Sequence, residues 1–353
     1  MDTRVQNESR AGIGYALGAA ALFGASTPAA KLLLGELSPL MLSALLYLGA
    51  AVALTAYRLS RRPSREAPLG RSDIPAMTGI VFFGGILGPL LMLFGLRRIS
   101  AFTGALLLNL EGPFTALIAV GVFREHLGRR EQLGTGAIML GAMLVGLEPG
   151  YFGGSWMGAL EVAAACLSWG IDNNLTQRIS LRDPVAVGRI KTLAAGWCVL
   201  AMAMLYNGAR IPRPAVLILA GGVGALCYGL SIVLDVKALR ALGAAREAAY
   251  FATAPFAGAL LSLIVFGDLP GWSGLAGALL MVAGVLSLIR AQHDHLHEHE
   301  RLFHEHLHIH DEHHQHPHER AAAQPHSHQH AHQRLRHAHP HASDLHHRHR
   351  HQP

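Results

Sequence analysis

Ser168-Trp169-Gly170-Ile171-Asp172-Asn173-Asn174-Leu175-Thr176-Gln177 closes an apolar run that begins near Trp156 and is long enough to cross a bilayer. An acid, three amides and two hydroxyls in so few residues are costly against lipid. Such groups face a bundle interior or a watery path, and they mark function by default. On a helix, Ser168, Asp172 and Thr176 form one stripe, and Trp169, Asn173 and Gln177 the next. The alternative is a cytosolic helix end where polar groups meet water. The rest of the chain decides between the two.

Of 353 residues, 51% are hydrophobic and only 15% charged, with Gly 39. A soluble domain carries about a quarter charged residues, so the balance is that of a membrane protein. Mean hydropathy of +0.30 understates this, because a polar tail dilutes it. The net charge of +6 comes mostly from loop arginines and reads as topology, not as nucleic-acid binding. Cys166, Cys198 and Cys227 lie in apolar runs without paired spacing and read as small buried hydrophobes.

Apolar spans fall at roughly 13–34, 39–57, 74–96, 99–123, 132–148, 156–178, 184–206, 214–236, 243–266 and 272–290, each near the length that crosses hydrocarbon. The first is read as an uncleaved helix, since many spans follow it. One set of connections holds Arg58, Arg61, Arg62, Arg65 and Arg71, then Arg124, Arg129 and Arg130, then Arg178 and Arg182, then Lys237, Arg240 and Arg246. The alternate set holds Lys31, Arg97, Arg98, Arg210 and Arg213. The Arg-rich set is expected to be cytoplasmic, which puts both termini in the cytoplasm of a bacterial-type inner membrane.

The spans echo one another. Leu22-Phe23-Gly24 returns as Ser168-Trp169-Gly170, and Ser38-Pro39 as Asp183-Pro184. Gly112-Pro113-Phe114 through Val122-Phe123-Arg124-Glu125 returns as Ala254-Pro255-Phe256 through Val265-Phe266-Gly267-Asp268. Gly136-Ala137 and Ala142 recur as Gly277-Ala278 and Ala283. Five spans per half is an odd number, so the second half enters from the opposite face. The pattern predicts an all-α polytopic fold of two inverted five-helix repeats, with a substrate site near the midplane between them. The expected division is a cytoplasmic segment 1–12, repeats 13–148 and 149–290, and a disordered tail 291–353.

Leu108-Asn109-Leu110-Glu111-Gly112-Pro113-Phe114 leading to Phe123-Arg124-Glu125-His126-Leu127, with the matching Tyr250-Phe251-Ala252-Thr253-Ala254-Pro255-Phe256 leading to Phe266-Gly267-Asp268-Leu269-Pro270, resembles the EamA-domain branch of the drug/metabolite transporter superfamily over about 11–290. The resemblance implies ten helices, a central cavity between the halves lined by the fourth and ninth helices with their neighbours, and export or exchange of small metabolites, amino acids or drugs. Asp268 departs from the Glu usual there. The Asp172-Asn173-Asn174 cluster is more polar than a typical sixth helix of the family.

Asp172 leads the candidate substrate or coupling residues, with Asn173, Asn174 and Gln177 beside it. Lys191 and Arg189 lie a turn or two inside the seventh span. Measured from the same boundary at about 1.5 Å per residue, Asp172 and Lys191 sit at similar depth, so an intramembrane pair is expected, with Arg189 as substitute partner. A static, charge-neutralising pair is the competing reading. Asn109 and Glu111 precede Gly112-Pro113, where proline removes a helix hydrogen bond and backbone carbonyls are freed. A packing kink with Glu111 bonded to a neighbouring helix is the alternative there. Pro255 with Tyr250 and Thr253 is the related spot without a charge. Glu161, Lys31 and Glu36 read as interfacial, and Trp156, Trp272 and Tyr206 as interface anchors. Gly14-xxx-Gly18 and Gly84-xxx-Gly88 permit close helix packing and are weak evidence for a homodimer. No catalytic residue is assigned, and no P-loop or nucleotide site is present, so the protein is not read as an enzyme.

From His293 onward the chain changes character. Of 24 histidines, all but His126 fall here. His293, His295, His297, His299, His304, His306, His308, His310, His313 and His314 have the spacing and residue type that suit Zn, Ni, Co or Cu. A match to HExxH at His304–His308 is expected in so His-dense a tract and signals no protease. No cofactor is required. The expected partners are the lipid bilayer, a small-molecule substrate and divalent metal ions at the tail, and no nucleic acid. Three readings stay open: a secondary transporter of a small metabolite, a divalent-metal exporter fed by the tail, and a membrane-tethered metal buffer or sensor.

Overall fold

The computed structural model describes residues 3–60, 67–123, 128–146, 155–180, 182–207, 212–267 and 269–290, with 294–299, 303–308, 326–331 and 335–340 of the tail. The helices are α1 (Thr3–Leu33), α2 (Pro39–Leu59), α3 (Arg71–Arg98), α4 (Ala101–Val122), α5 (Arg129–Gly146), α6 (Ser155–Arg178), α7 (Pro184–Asn207), α8 (Pro214–Leu242), α9 (Arg246–Phe266) and α10 (Trp272–Ile289). All of these but α5 and α6 are long and apolar enough to cross a membrane. Helix α5 (18 residues) carries Arg129, Arg130 and Glu131 in its first turn. Helix α6 (24 residues) carries the polar cluster.

Local signals start the helices where the sequence puts them. Ser38 accepts from Met41 N at 3.3 Å, with Pro39 in the first turn. Asp183 Oδ1 accepts from Val185 N and Ala186 N at 3.0 and 3.2 Å ahead of α7. These echoed Ser-Pro and Asp-Pro pairs are helix caps, each a device that contributes about 1 kcal/mol. Ser100 caps α4 through Thr103 N at 3.0 Å.

Helix α5 packs along α10, and α2 along α7 and α8. Helix α1 lies on α8 and α9, and α6 on α3 and α4, while α3 also meets α7 and α4 meets α9. The core is aliphatic, with Leu42, Leu46, Leu54, Leu96, Leu106 and Met281 almost fully buried. The outside is apolar too: Val52, Ile218, Ile264 and Leu279 are each more than two-thirds exposed. Water would penalise such a surface and lipid does not. The protein is a multi-pass membrane protein.

Four of the ten rods depart from regular α geometry at their middles. Ile80–Leu87 of α3 and Gly224–Leu230 of α8 are π-helical. In α4 a 3-10 turn, Leu108–Leu110, precedes Glu111. In α9 the turn Ala252–Thr253 separates Ala244–Phe251 from Ala254–Phe266. The α4 and α9 breaks fall just ahead of Pro113 and Pro255, where proline withholds a backbone donor.

Some expectations need correction. Cys198 is exposed, whereas Cys166 and Cys227 are buried. Cys198 sits on the outer side of α7, where an apolar residue meets lipid and not the core. Gly14 is no packing contact: a Cβ there would meet nothing within 4 Å. The tail is not structureless throughout its described residues. Strands β1 (Asp294–His299) and β4 (Leu335–Pro340) pair antiparallel, as do β2 (Phe303–His308) and β3 (His326–Ala331). The His-x-His alternation has the period of a strand, a signal that a composition-based reading passes over. Arg124–Leu127, Asp268, His293, His310, His313 and His314 lie outside the described residues.

Candidate functional site

The polar stretch of α6 meets α3, α4 and α7, with Ser168, Asp172 and Asn174 buried and Asn173 exposed. Asp172 is buried, and its Oδ2 forms an ion pair with Lys191 Nζ of α7. The depths agree. Asp172 stands six residues before the end of α6 and Lys191 seven after the start of α7, about 9–11 Å from the same boundary at 1.5 Å per residue. Thr176 Oγ1, one turn on, lies 3.5 Å from Asp172 Oδ1, a marginal hydrogen bond.

The carboxylate fits because α3 passes it with a glycine. A Cβ on Gly84 would collide with the Asp172 carboxylate. The π-helical turn around Gly84 leaves carbonyls available to side chains. Gly84 O accepts from Tyr47 OH at 2.9 Å and from Trp169 Nε1 at 3.2 Å, and Phe83 O accepts from Ser168 Oγ at 2.9 Å. Ser168 and Trp169 of the α6 stretch and Tyr47 of α2 thus hold this turn of α3.

The neighbouring face of α6 meets α4. Asn173 Nδ2 donates to Glu111 Oε1 at 2.8 Å and to Thr115 Oγ1 at 3.2 Å. Thr115 Oγ1 donates back to Glu111 O at 2.8 Å. Asn174, buried, donates to Thr115 O at 3.1 Å and to Gly170 O at 2.8 Å. The four-residue interval from Glu111 to Thr115 is the sequence signal for this second partner, and it went unread. The ion pairs include Asp172–Lys191, Arg98–Glu161 and Arg182–Asp73, and the Glu111 carboxylate is met by the Asn173 amide.

Other sequence-selected residues fall elsewhere. Arg189 is half-buried and joins no ion pair among the described residues. Asn109 points away from Asp172, donating to Leu106 O at 3.0 Å with Met281 Sδ at 3.9 Å. Cys166 Sγ approaches Leu107 O at 3.4 Å. In α9, Thr253 Oγ1 donates to Tyr250 O at 2.7 Å. Carbonyls near both breaks, Leu106 O, Leu107 O and Tyr250 O, therefore meet nearby side chains. Gln177, half-buried, lies one turn past Asn173.

Aromatic rings cluster between α1, α2, α8 and α9. Tyr228 of α8 stands 6.1 Å from Tyr47 and 5.9 Å from Phe23, and Phe23 lies 5.4 Å from Phe251. Tyr228 also hydrogen-bonds Ser26. A further acidic contact, between α8 and α9, has no counterpart in the sequence analysis. The carboxyls of Asp235 and Glu247 adjoin, and Glu247 Oε1 is buried without a donor. Two carboxyls in contact hold together when they share one proton. Among the described residues of the helices no three of His, Cys, Asp and Glu form a group that could hold a metal ion.

Ion pairs hold both ends of α3: Arg182 of the α6–α7 connection pairs with Asp73 at 2.9 Å, and Arg98 with Glu161 of α6 at 3.0 Å. Lys31 Nζ donates to Leu96 O and Ile99 O, both at 2.7 Å, so the expected interfacial lysine is also a clasp between α1 and α3.

Known proteins place this architecture. The EamA-like transporter family model matches residues 10–147 and 156–290. An uncharacterized transporter of Methanothermobacter thermautotrophicus is 29% identical over 288 residues, covering 75% of this chain and 82% of that protein. A solved crystal structure superposes with a TM-score of 0.56 at 19% identity, over 77% of this chain and 94% of its own, which is a likeness of fold.

Proposed function

The chain belongs to the EamA-like transporter family, and on that premise we propose that it is a secondary transporter exporting or exchanging a small metabolite of the amino acid, metabolite or drug class. The transport path runs between two inverted five-helix repeats, α1–α5 and α6–α10, with both termini in the cytoplasm of an inner-type membrane. Packing supports the repeat. Exchanging the halves turns the α1–α8 contact into α6–α3, α1–α9 into α6–α4 and α2–α8 into α7–α3, while α2–α7, α4–α9 and α5–α10 map onto themselves. The π-helical turns of α3 and α8, and the breaks of α4 and α9, exchange in the same way.

The observation that carries the proposal is the Asp172–Lys191 pair with Glu111 close by, all inside the bundle. Charges at that depth cost several kcal/mol or more unless paired. A pair can be opened by a substrate ammonium, a substrate carboxylate or a proton that replaces one partner. Such replacement gives substrate binding an energetic grip on helices α3, α6 and α7, which alternating access needs.

The test is counterflow in liposomes. Purified protein is loaded with a panel of unlabelled amino acids and small amines, and uptake of each labelled compound is followed. The expected result is exchange of at least one compound by the intact protein, abolished in Asp172→Asn and in Lys191→Met. Exchange at full rate in both variants would remove the pair from the mechanism.

A further inference from the structure

The tail holds chemistry that the transport path does not use, and its backbone register arranges it. In the β1–β4 ladder His295 stands opposite His339, and His297 opposite His337. In the β2–β3 ladder His304 stands opposite His330, His306 opposite His328, and His308 opposite His326. Every histidine of β2 and β3 thus faces another histidine position across the ladder. The two segments that meet are far apart in sequence, so the matching is a property of the pairing and not of a local repeat.

Alternate positions of a strand belong to one face of its ladder. Positions 304, 306 and 308 with 326, 328 and 330 form one such set, and 295 and 297 with 337 and 339 form the other. Directly opposite residues have Cβ atoms about 4.5–5.5 Å apart. An ion binding imidazole nitrogen at about 2.0–2.1 Å spans that interval with two ligands. Imidazole suits zinc, copper and nickel above the alkaline-earth ions.

We infer that the two histidine ladders are binding sites for divalent transition-metal ions, each ion held between histidines of opposite strands. Bound metal ties β1 to β4 and β2 to β3. Binding therefore closes the long connections between the strands, and the ladders gain order as metal is added. The site is separate from Asp172 and Lys191, and it stands whether or not the bundle moves metal.

The test uses the full chain in detergent with Zn(II) alone, by equilibrium dialysis and calorimetry. Four proteins are compared: the intact chain, a truncation after Gln292, His328→Ala/His330→Ala, and His313→Ala/His314→Ala. The last two remove equal numbers of histidines, one pair inside a ladder and one outside both. The expected result is tight binding by the intact chain and none by the truncation. The His328→Ala/His330→Ala chain binds about tenfold or more weaker, the scale of losing a group on which a metal site depends. The His313→Ala/His314→Ala chain keeps the tightest site within about twofold, since no ligand of it is lost. Equal losses in the two double variants would mean that histidine number alone matters, and would overturn the ladder assignment. So would undiminished binding by the truncated chain. Hydrogen exchange supplies a second readout: Zn(II) is expected to protect amides of β2 and β3 in the intact chain, and unchanged exchange refutes the cross-strand tie.

Discussion

Replacing Lys191 by Met tests the ion pair without disturbing much packing, because the aliphatic stem is nearly preserved. The side chain of Asp172 is 5% exposed and that of Lys191 22%, so water offers the remaining carboxylate little help. Breaking a buried pair from one side costs about 3–5 kcal/mol. A ceiling applies. Protonating a free aspartate side chain at pH 7 costs about 4 kcal/mol, and a stranded acid escapes its charge by that route. Thr176 at 3.5 Å is too distant to stand in for an ammonium. The expected loss is therefore about 3–4 kcal/mol, with an unfolding midpoint lower by on the order of 10 °C. The double variant Lys191→Met/Asp172→Asn removes both charges and should recover most of that loss, since replacing a whole buried pair is close to neutral.

The assay follows from the cysteines. Cys166 and Cys227 are buried and Cys198 is exposed, so a fluorogenic thiol dye in a Cys198→Ser background reports unfolding of the bundle. Midpoints of the intact chain, both single variants and the double variant complete a double-mutant cycle. A Lys191→Met chain as stable as its parent, or a double variant no more stable than the Lys191→Met single, would refute the reasoning.

Three further outcomes are expected. Gly84→Ala drives a methyl into the Asp172 carboxylate and should abolish counterflow in protein that still inserts in membranes; retained exchange would mean the pair is free to relax elsewhere. Glu111→Gln keeps an acceptor for Asn173 Nδ2, so the dye midpoint should move by no more than about 1 kcal/mol in stability, whereas counterflow is lost. Gly141→Ala puts a Cβ 2.7 Å from Gly277 O across the α5–α10 contact and should cost about 1–3 kcal/mol, while Gly136→Ala, which meets nothing within 4 Å, should be neutral or slightly stabilising in the same dye assay.

Much of this architecture was legible because lipid makes the backbone simple. Apolar runs of fixed length become helices when no water can satisfy the backbone, and most of their ends moved by only a few residues, although α1 begins as early as Thr3 and α8 runs on to Leu242. The Asp172–Lys191 contact could be reached by counting depth, since a helix converts residue number to distance. Gly84, Tyr47 and Thr115 could not. Gly84 and Thr115 meet the α6 stretch, and Tyr47 meets Gly84, through the rotation of one helix about its axis relative to another, a quantity that spans and loop charges leave open. Asn109 misled for a related reason. It neighbours Glu111 in sequence, but the 3-10 turn at Leu108–Leu110 rotates it toward Leu106 O.

The charge of the site is confined to one of two related crossings, and the proposed repeat gives that confinement meaning. A Cβ on Gly170 would lie 3.0 Å from Thr115 N of α4, and one on Gly24 would lie 2.9 Å from Gly258 N of α9, so α6 and α1 approach their partners in the same way. Two residues beyond those glycines stand Asp172 and Ser26. The π-helical turns that begin at Ile80 and Gly224 set Gly84 against Tyr228, and the caps at Pro39 and Pro184 set Leu46 against Lys191. One crossing therefore holds Asp172, Lys191 and a bare glycine, and the other holds Ser26, buried Leu46 and Tyr228, with Ser26 and Tyr228 hydrogen-bonded. The members of each set depend on one another. An acid at position 26 would meet Leu46 and a tyrosine ring with no cation to pair, and a side chain at position 84 would displace the carboxylate. Exchanging one member alone costs about as much as breaking a buried pair. The ion pair and the glycine beside it thus act as one device, and the related crossing carries a neutral aromatic cluster of Phe23, Tyr47, Tyr228 and Phe251.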